Sequence, residues 1–151
     1  MSDFKEITYE CVTVGEEFMS DDFLIKPEDV ETFSFAVDDH DPWYLDDSPF
    51  GGTITHPVLM GNQALLMRHG KYIVPAGLHA KMQYEFVEPL RIGMRVRTRG
   101  KVIDKYEKRG RHYMVTEFAT RDEETGKVLV RGQFTQMLFP KSGVHEHAKN
   151  R

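Results

Sequence analysis

Pro57-Val58-Leu59-Met60-Gly61-Asn62-Gln63-Ala64-Leu65-Leu66-Met67 is the stretch whose reading decides the fold. Proline suits the first turn of a helix, where its missing N–H has no intrahelical partner to lose. The residues that follow predict a helix, with Val58, Leu59, Met60, Ala64, Leu65, Leu66 and Met67 covering nearly its whole circumference. A helix that is apolar all round is a buried one. Gly70 is placed to cap its C-terminal end.

The sequence after this helix supplies something to bury it. From Gly77 onward the period changes to two: Met82, Tyr84 and Phe86 alternate with Lys81, Gln83 and Glu85, and Met94, Val96 and Thr98 alternate with Arg95, Arg97 and Arg99. That alternation predicts strands with one face turned inward. Lys108-Arg109-Gly110 and Glu123-Glu124-Thr125-Gly126 read as turns, with strands over residues 112–121 and 127–139. Met60, Met67, Met82 and Met94 read as core fillers, although a Met-lined channel would look the same.

Before the apolar helix, residues 7–14 and 18–25 read as extended pieces separated by a turn at Gly15-Glu16-Glu17. Pro27, followed by Glu28 and Asp29, opens another helix, because acidic side chains complement the dipole of a first turn. Val30, Phe33 and Val37 give that helix an apolar stripe, and it is expected to end near Asp38. Between the two helices lies an irregular loop broken by Asp41-Pro42, Ser48-Pro49 and Gly51-Gly52. Strands running together beside segregated helices mean an α+β fold. A long antiparallel sheet wrapped around the apolar helix is the natural way to bury it.

The 151 residues fit one domain, taken here as residues 1–140, with 141–151 a polar tail expected to be disordered. With 29% charged residues but a formal net charge of only −4, nothing points to nucleic acid as a partner. The start of the chain does not read as a secretory signal, and no apolar run reaches the ~20 residues of a membrane span. The single Cys11 cannot form an internal disulfide, which makes the cytoplasm the default location. His145-Glu146-His147 lacks a companion ligand set, so no metal site and no cofactor is expected.

The order of elements resembles the hotdog fold, in which a curved antiparallel sheet wraps one buried central helix. The loop carries a second resemblance. Asp39-His40-Asp41-Pro42-Trp43-Tyr44 is similar to the Asp-x-Asn-Pro-x-His motif of MaoC-like (R)-specific enoyl-CoA hydratases and (3R)-hydroxyacyl dehydratases, and Thr55-His56-Pro57 to their Ala-His-Gly. By this resemblance Asp39 stands at the catalytic Asp position, Tyr44 at the catalytic His position, and His56 matches the second-motif His. Pro57 replaces a Gly whose N–H would polarise the thioester carbonyl. Trp43, Pro57 and Gly61 are then expected to line the substrate site, although core packing also accounts for Trp43 and Tyr44.

The two departures have chemical weight. Adding water across a thioester-conjugated double bond needs a base, a proton source and a donor for the developing enolate oxygen. A phenol is a poor base near neutral pH, and proline has no N–H. Loss of one oxyanion donor costs ~3 kcal/mol in well-studied enzymes. The version with Tyr in place of His resembles the non-catalytic subunits of heteromeric (3R)-hydroxyacyl dehydratases. Three functions follow as expectations. The first is an acyl-thioester-binding component that relies on a catalytic partner. The second is a self-sufficient lyase in which Asp39 orients water, His56 acts as base and Tyr44 donates a hydrogen bond. The third is a non-enzymatic acyl-CoA binding protein. A thioesterase is weaker, because the apolar helix carries no carboxylate. Ligand and partners are accordingly an acyl thioester of coenzyme A or acyl carrier protein, and a homodimer or a heterodimer with another hotdog subunit. Arg95, Arg97 and Arg99 form a basic row that either attracts phosphates or simply faces solvent.

Overall fold

A computed structural model describes residues 4–139; the tail at 141–151, with His145 and His147, lies outside them. The first elements are β1 (Lys5–Glu6), β2 (Glu17–Met19) and β3 (Phe23–Leu24). Helix α1 (Pro27–Val37), the short helix α2 (Pro42–Leu45) and helix α3 (Leu59–Leu66) follow. A 3-10 turn, Met67–Gly70, then leads into β4 (Tyr72–Ile73), β5 (Gly77–Phe86), β6 (Arg95–Lys108), β7 (Arg111–Asp122) and β8 (Val128–Leu138).

The main sheet runs β2-β6-β7-β8-β5, with β3 also on β6, and all its pairings are antiparallel. The ladder slips at Val102/Asp104, His79/Lys81 and Thr120/Arg121, and such bulges bend and twist the strands that carry them. Helix α3 packs on β6 and β7. Its Met60 and Ala64, with Met67 just beyond, share one core with Val96, Val102, Met114, Phe118, Val130 and Phe134. This is the expected hotdog arrangement, α+β with a sheet curved round a central helix.

Several local expectations are corrected. Residues 7–14 are not a strand: Thr8 and Cys11 bond each other across a turn, and Lys105 Nζ takes the carbonyls of Tyr9 and Val12, each at 2.8 Å. β1 instead covers Lys5–Glu6 and pairs in parallel with β4. The loop after α1 contains α2, because Asp41 Oδ1 accepts from Trp43 N at 2.9 Å and Pro42 takes the first helical position. α3 starts at Leu59, two residues later than expected, and is not buried all round. Met60, Gly61 and Ala64 are buried, whereas Val58 and Leu66 are 42% and 45% exposed. The sheet covers one side of the helix only. On α1 the buried positions are Val30 and Ser34, and Val37 is exposed.

Candidate functional site

Asp39, Tyr44 and His56 come together at the junction of α1, α2 and the segment leading into α3. The end of α1 places the first. Asp38 turns the chain with φ 53°, a left-handed conformation that stops a helix, and Asp39 N then donates to the Ser34 carbonyl at 3.0 Å. Asp39 Oδ1 accepts from Asp41 N at 3.3 Å, so the loop fixes the carboxylate while leaving the side chain 47% exposed.

His56 is held from the other side. Thr55 N donates to Leu90 O at 2.8 Å, Ile54 N to Trp43 O at 2.9 Å, and the His56 carbonyl accepts from Leu59 N at 3.0 Å. Its side chain is 3% exposed. Nε2 lies 3.3 Å from the Asp39 carbonyl oxygen, 3.4 Å from Ser34 Oγ and 3.8 Å from Asp39 Oδ2. A carbonyl can only accept, so the Nε2–H tautomer satisfies this edge. Nδ1 is then the unprotonated nitrogen, and it is buried without a hydrogen-bond partner.

Tyr44 lies over the imidazole, ring centroids 3.7 Å apart and planes 27° from parallel, and Phe33 flanks the imidazole at 5.0 Å. Burial first, then the negative charges of Asp39 and Asp41, holds the Tyr44 phenol above its ordinary 10. It is therefore protonated at any physiological pH, a hydrogen-bond donor and not a base.

The other expected residues sit around this cluster in different ways. Trp43 is half out of the surface, edge-on to Phe50. Pro57 is half-buried, and Gly61 is buried with its Cα against the Tyr84 hydroxyl. His40 pairs locally with Asp38 at 3.5 Å, both side chains exposed. Two residues were missed from sequence. Ser34 is buried beneath His56; its only signal was a hydroxyl interrupting the buried side of α1. Arg91 donates from both terminal nitrogens to the carbonyls of Phe50 and Gly51 and so ties down the loop. Among the described residues no three metal-binding side chains converge, and no helix is long and apolar enough to cross a membrane. A groove of about 810 Å³ lies elsewhere, among Glu17, Arg99, Lys101, Glu117 and Arg131.

Residues 12–131 match the family model described as FAS1-like, dehydratase domain region. The chain belongs to this dehydratase family. Solved structures share its fold. The R-hydratase PhaJ1 from Pseudomonas aeruginosa is 20% identical over 91% of this chain and 89% of its own, with a TM-score of 0.77. A MaoC-like dehydratase from Rhodospirillum rubrum is 18% identical over 88% and 97%, at 0.71. The HadBC (3R-hydroxyacyl-ACP dehydratase) complex from Mycobacterium tuberculosis is 15% identical over 82% and 96%, at 0.67. No curated protein matches the chain significantly. Family and fold bear out the resemblance to MaoC-like hotdog dehydratases.

Proposed function

We propose that this dehydratase-family chain is the acyl-thioester-binding component of a (3R)-hydroxyacyl dehydratase or enoyl hydratase, and that a partner hotdog subunit supplies the acid/base pair. One observation carries the reading. Tyr44, which by the resemblance stands where the family carries its catalytic His, stacks on His56 with planes 27° from parallel, and the Nε2 edge of His56 is turned to the Asp39 carbonyl and Ser34. Among the described residues the imidazole that approaches the half-exposed Asp39 carboxylate is the buried one of His56, at 3.8 Å, while the exposed His40 pairs with Asp38. A general base must reach the proton it removes, and a buried imidazole under a phenol ring does not. Pro57 adds no N–H for an enolate oxygen.

In this reading Asp39 and the Tyr44 phenol orient the thioester end, and Trp43, Pro57 and Gly61 stand beside the acyl chain. A two-component precedent in the same fold is the HadBC complex, a 3R-hydroxyacyl-ACP dehydratase. The thioester is carried by coenzyme A or by acyl carrier protein, and the location is cytoplasmic.

The test is hydration of crotonyl-CoA and of a longer enoyl-CoA. The chain is assayed alone, and then mixed with a hotdog protein that carries an intact Asp-x-Asn-Pro-x-His motif and is encoded beside it. The expected result is no turnover alone and turnover on mixing. Turnover by the chain alone, abolished by both Asp39→Ala and His56→Ala, overturns the proposal in favour of a self-sufficient lyase. Binding of enoyl-CoA with no turnover in either setting overturns it in favour of a non-enzymatic binding protein.

A further inference from the structure

The basic row seen along the sequence, Arg95, Arg97 and Arg99, gains a neighbour in space, Arg121. Arg97 and Arg99 project from the same face of β6, two residues apart. Between and beside them Val96 and Thr98 are buried, so the arginines lie on the side of the sheet turned away from α3. On β7, Arg121 is the direct cross-strand partner of Arg97, and Ala119 faces Arg99. The short Ala119 side chain leaves room, and a cavity of about 160 Å³ opens among Arg97, Arg99, Arg121, Asp122, Glu123 and Gly126.

Like charges directly opposed on a ladder are destabilising unless an opposite charge is shared. The nearby carboxylates meet this need only in part. Asp22 pairs with Arg95 at 2.5 Å and with Arg97 at 3.3 Å. Glu123 reaches Arg97 Nε only at 3.7 Å, and that buried nitrogen has no hydrogen-bond partner. Asp122 is occupied in its own turn, accepting from Glu124 N and Thr125 Oγ1 at 2.9 Å each. Among the described residues neither Arg99 nor Arg121 has a carboxylate partner; Arg121 donates only to the Gly126 carbonyl, at 3.1 Å.

We propose that Arg97, Arg99 and Arg121 form a binding site for a phosphate group. The planar guanidinium fork matches phosphate oxygens, two N–H groups to two oxygens. A dianion placed between Arg99 and Arg121 supplies the charge that the protein itself leaves out. Arg99 also lines the adjoining groove of about 810 Å³, so the phosphate of a larger molecule has space for its remainder. The inference is independent of the thioester role proposed above, because none of these residues touches Asp39, Tyr44 or His56.

The test is titration of the chain with inorganic phosphate at constant ionic strength, balanced with chloride, following the backbone amides of Arg99, Ala119 and Arg121 by NMR. Saturable shifts confined to this patch are expected. Arg99→Ala/Arg121→Ala should weaken them by at least about tenfold. Arg121→Lys, which keeps the charge but loses the fork, should weaken them while preserving the spectrum of the folded chain. Coenzyme A and dephospho-coenzyme A then identify the source. Competition by the first but not the second assigns the site to a nucleotide 3′-phosphate, and competition by neither assigns it to free phosphate. Shifts that do not saturate, or that are unchanged in the double variant, overturn the proposal.

Discussion

The phenol of Tyr44 rests on the imidazole of His56 with ring centroids 3.7 Å apart. The contact joins the phenol to the cluster in which His56 Nε2 approaches the Asp39 carbonyl and Ser34. Its stabilising part is the ring face, since stacked aromatic pairs contribute about 0.5–1.5 kcal/mol beyond simple burial. Tyr44→Phe is therefore expected to stay within about 0.5 kcal/mol of the parent in urea unfolding, and Tyr44→Ala to lose about 1–2 kcal/mol. An alanine variant as stable as the parent would show that the ring does not support His56.

Gly61 and Tyr84 meet across the core. A Cβ on Gly61 would collide with the Tyr84 hydroxyl. That ring cannot easily retreat, because it stacks on Phe86 at 5.6 Å and meets Phe118 edge-on at 5.8 Å. Gly61→Ala is expected to cost about 1–3 kcal/mol through overpacking. Tyr84→Leu in the same chain should return part of that loss, so the double variant should be more stable than the sum of the singles predicts. Additive losses would place the penalty in the helix backbone and not in this contact.

How far the sequence could be read follows from which interactions are local. The period-two run Met94 to Arg99 needed no partner to declare itself, and β6 starts at Arg95. Pro27, Glu28 and Asp29 announced α1, where Asp29 Oδ2 indeed accepts from Lys26 N at 2.8 Å. The apolar content of α3 was legible, but not which face this sheet would cover; Val58 and Leu66 look in sequence like Met60 and Ala64. The two-residue strands β1 and β4 are too short to carry a period. At the site, the Asp39 and His56 motifs were visible as residue types. Ser34 was not, because its place under His56 depends on the left-handed turn at Asp38 bringing the chain back over α1. The company Arg121 keeps with Arg97 is a matter of register, which no spacing along one strand reveals.

Asp122 gives the fold a defined acid sensitivity. The Glu124 N–H first, then the Thr125 hydroxyl, hold its carboxyl below the ordinary 3.8, and both bonds close the β7–β8 turn. A carboxyl depressed on folding contributes stability that is fully present above its unfolded value and is lost as pH falls through its folded one. The expected result is that Asp122→Asn flattens the acid limb of stability against pH below about 4. Asp22, Glu85 and Glu10, likewise lowered, keep the remaining slope. Identical acid limbs for parent and variant would mean that this turn does not discriminate the ionised form.

Arg68 is a cation in the core, 3% exposed, with its guanidinium 5.9 Å over the Phe134 ring. Nε donates to the Leu65 carbonyl at 3.1 Å and Nη1 to Gln136 Oε1. Burial pulls the group down to about 10, so it is still charged at neutral pH, and among the described residues no carboxylate answers it. Removing one member of such a pair strands the other. Arg68→Met orphans the Gln136 carbonyl, and Gln136→Leu orphans a buried N–H; each is expected to cost about 1–3 kcal/mol. Removing both leaves an apolar contact against Phe134 and spares the desolvation of a lone charge, an exchange that is often neutral or stabilising. Arg68→Met/Gln136→Leu should therefore be at least as stable as either single variant, with a coupling of more than about 1 kcal/mol in the double-mutant cycle. A double variant that loses the plain sum of the two singles would show that Arg68 and Gln136 act independently.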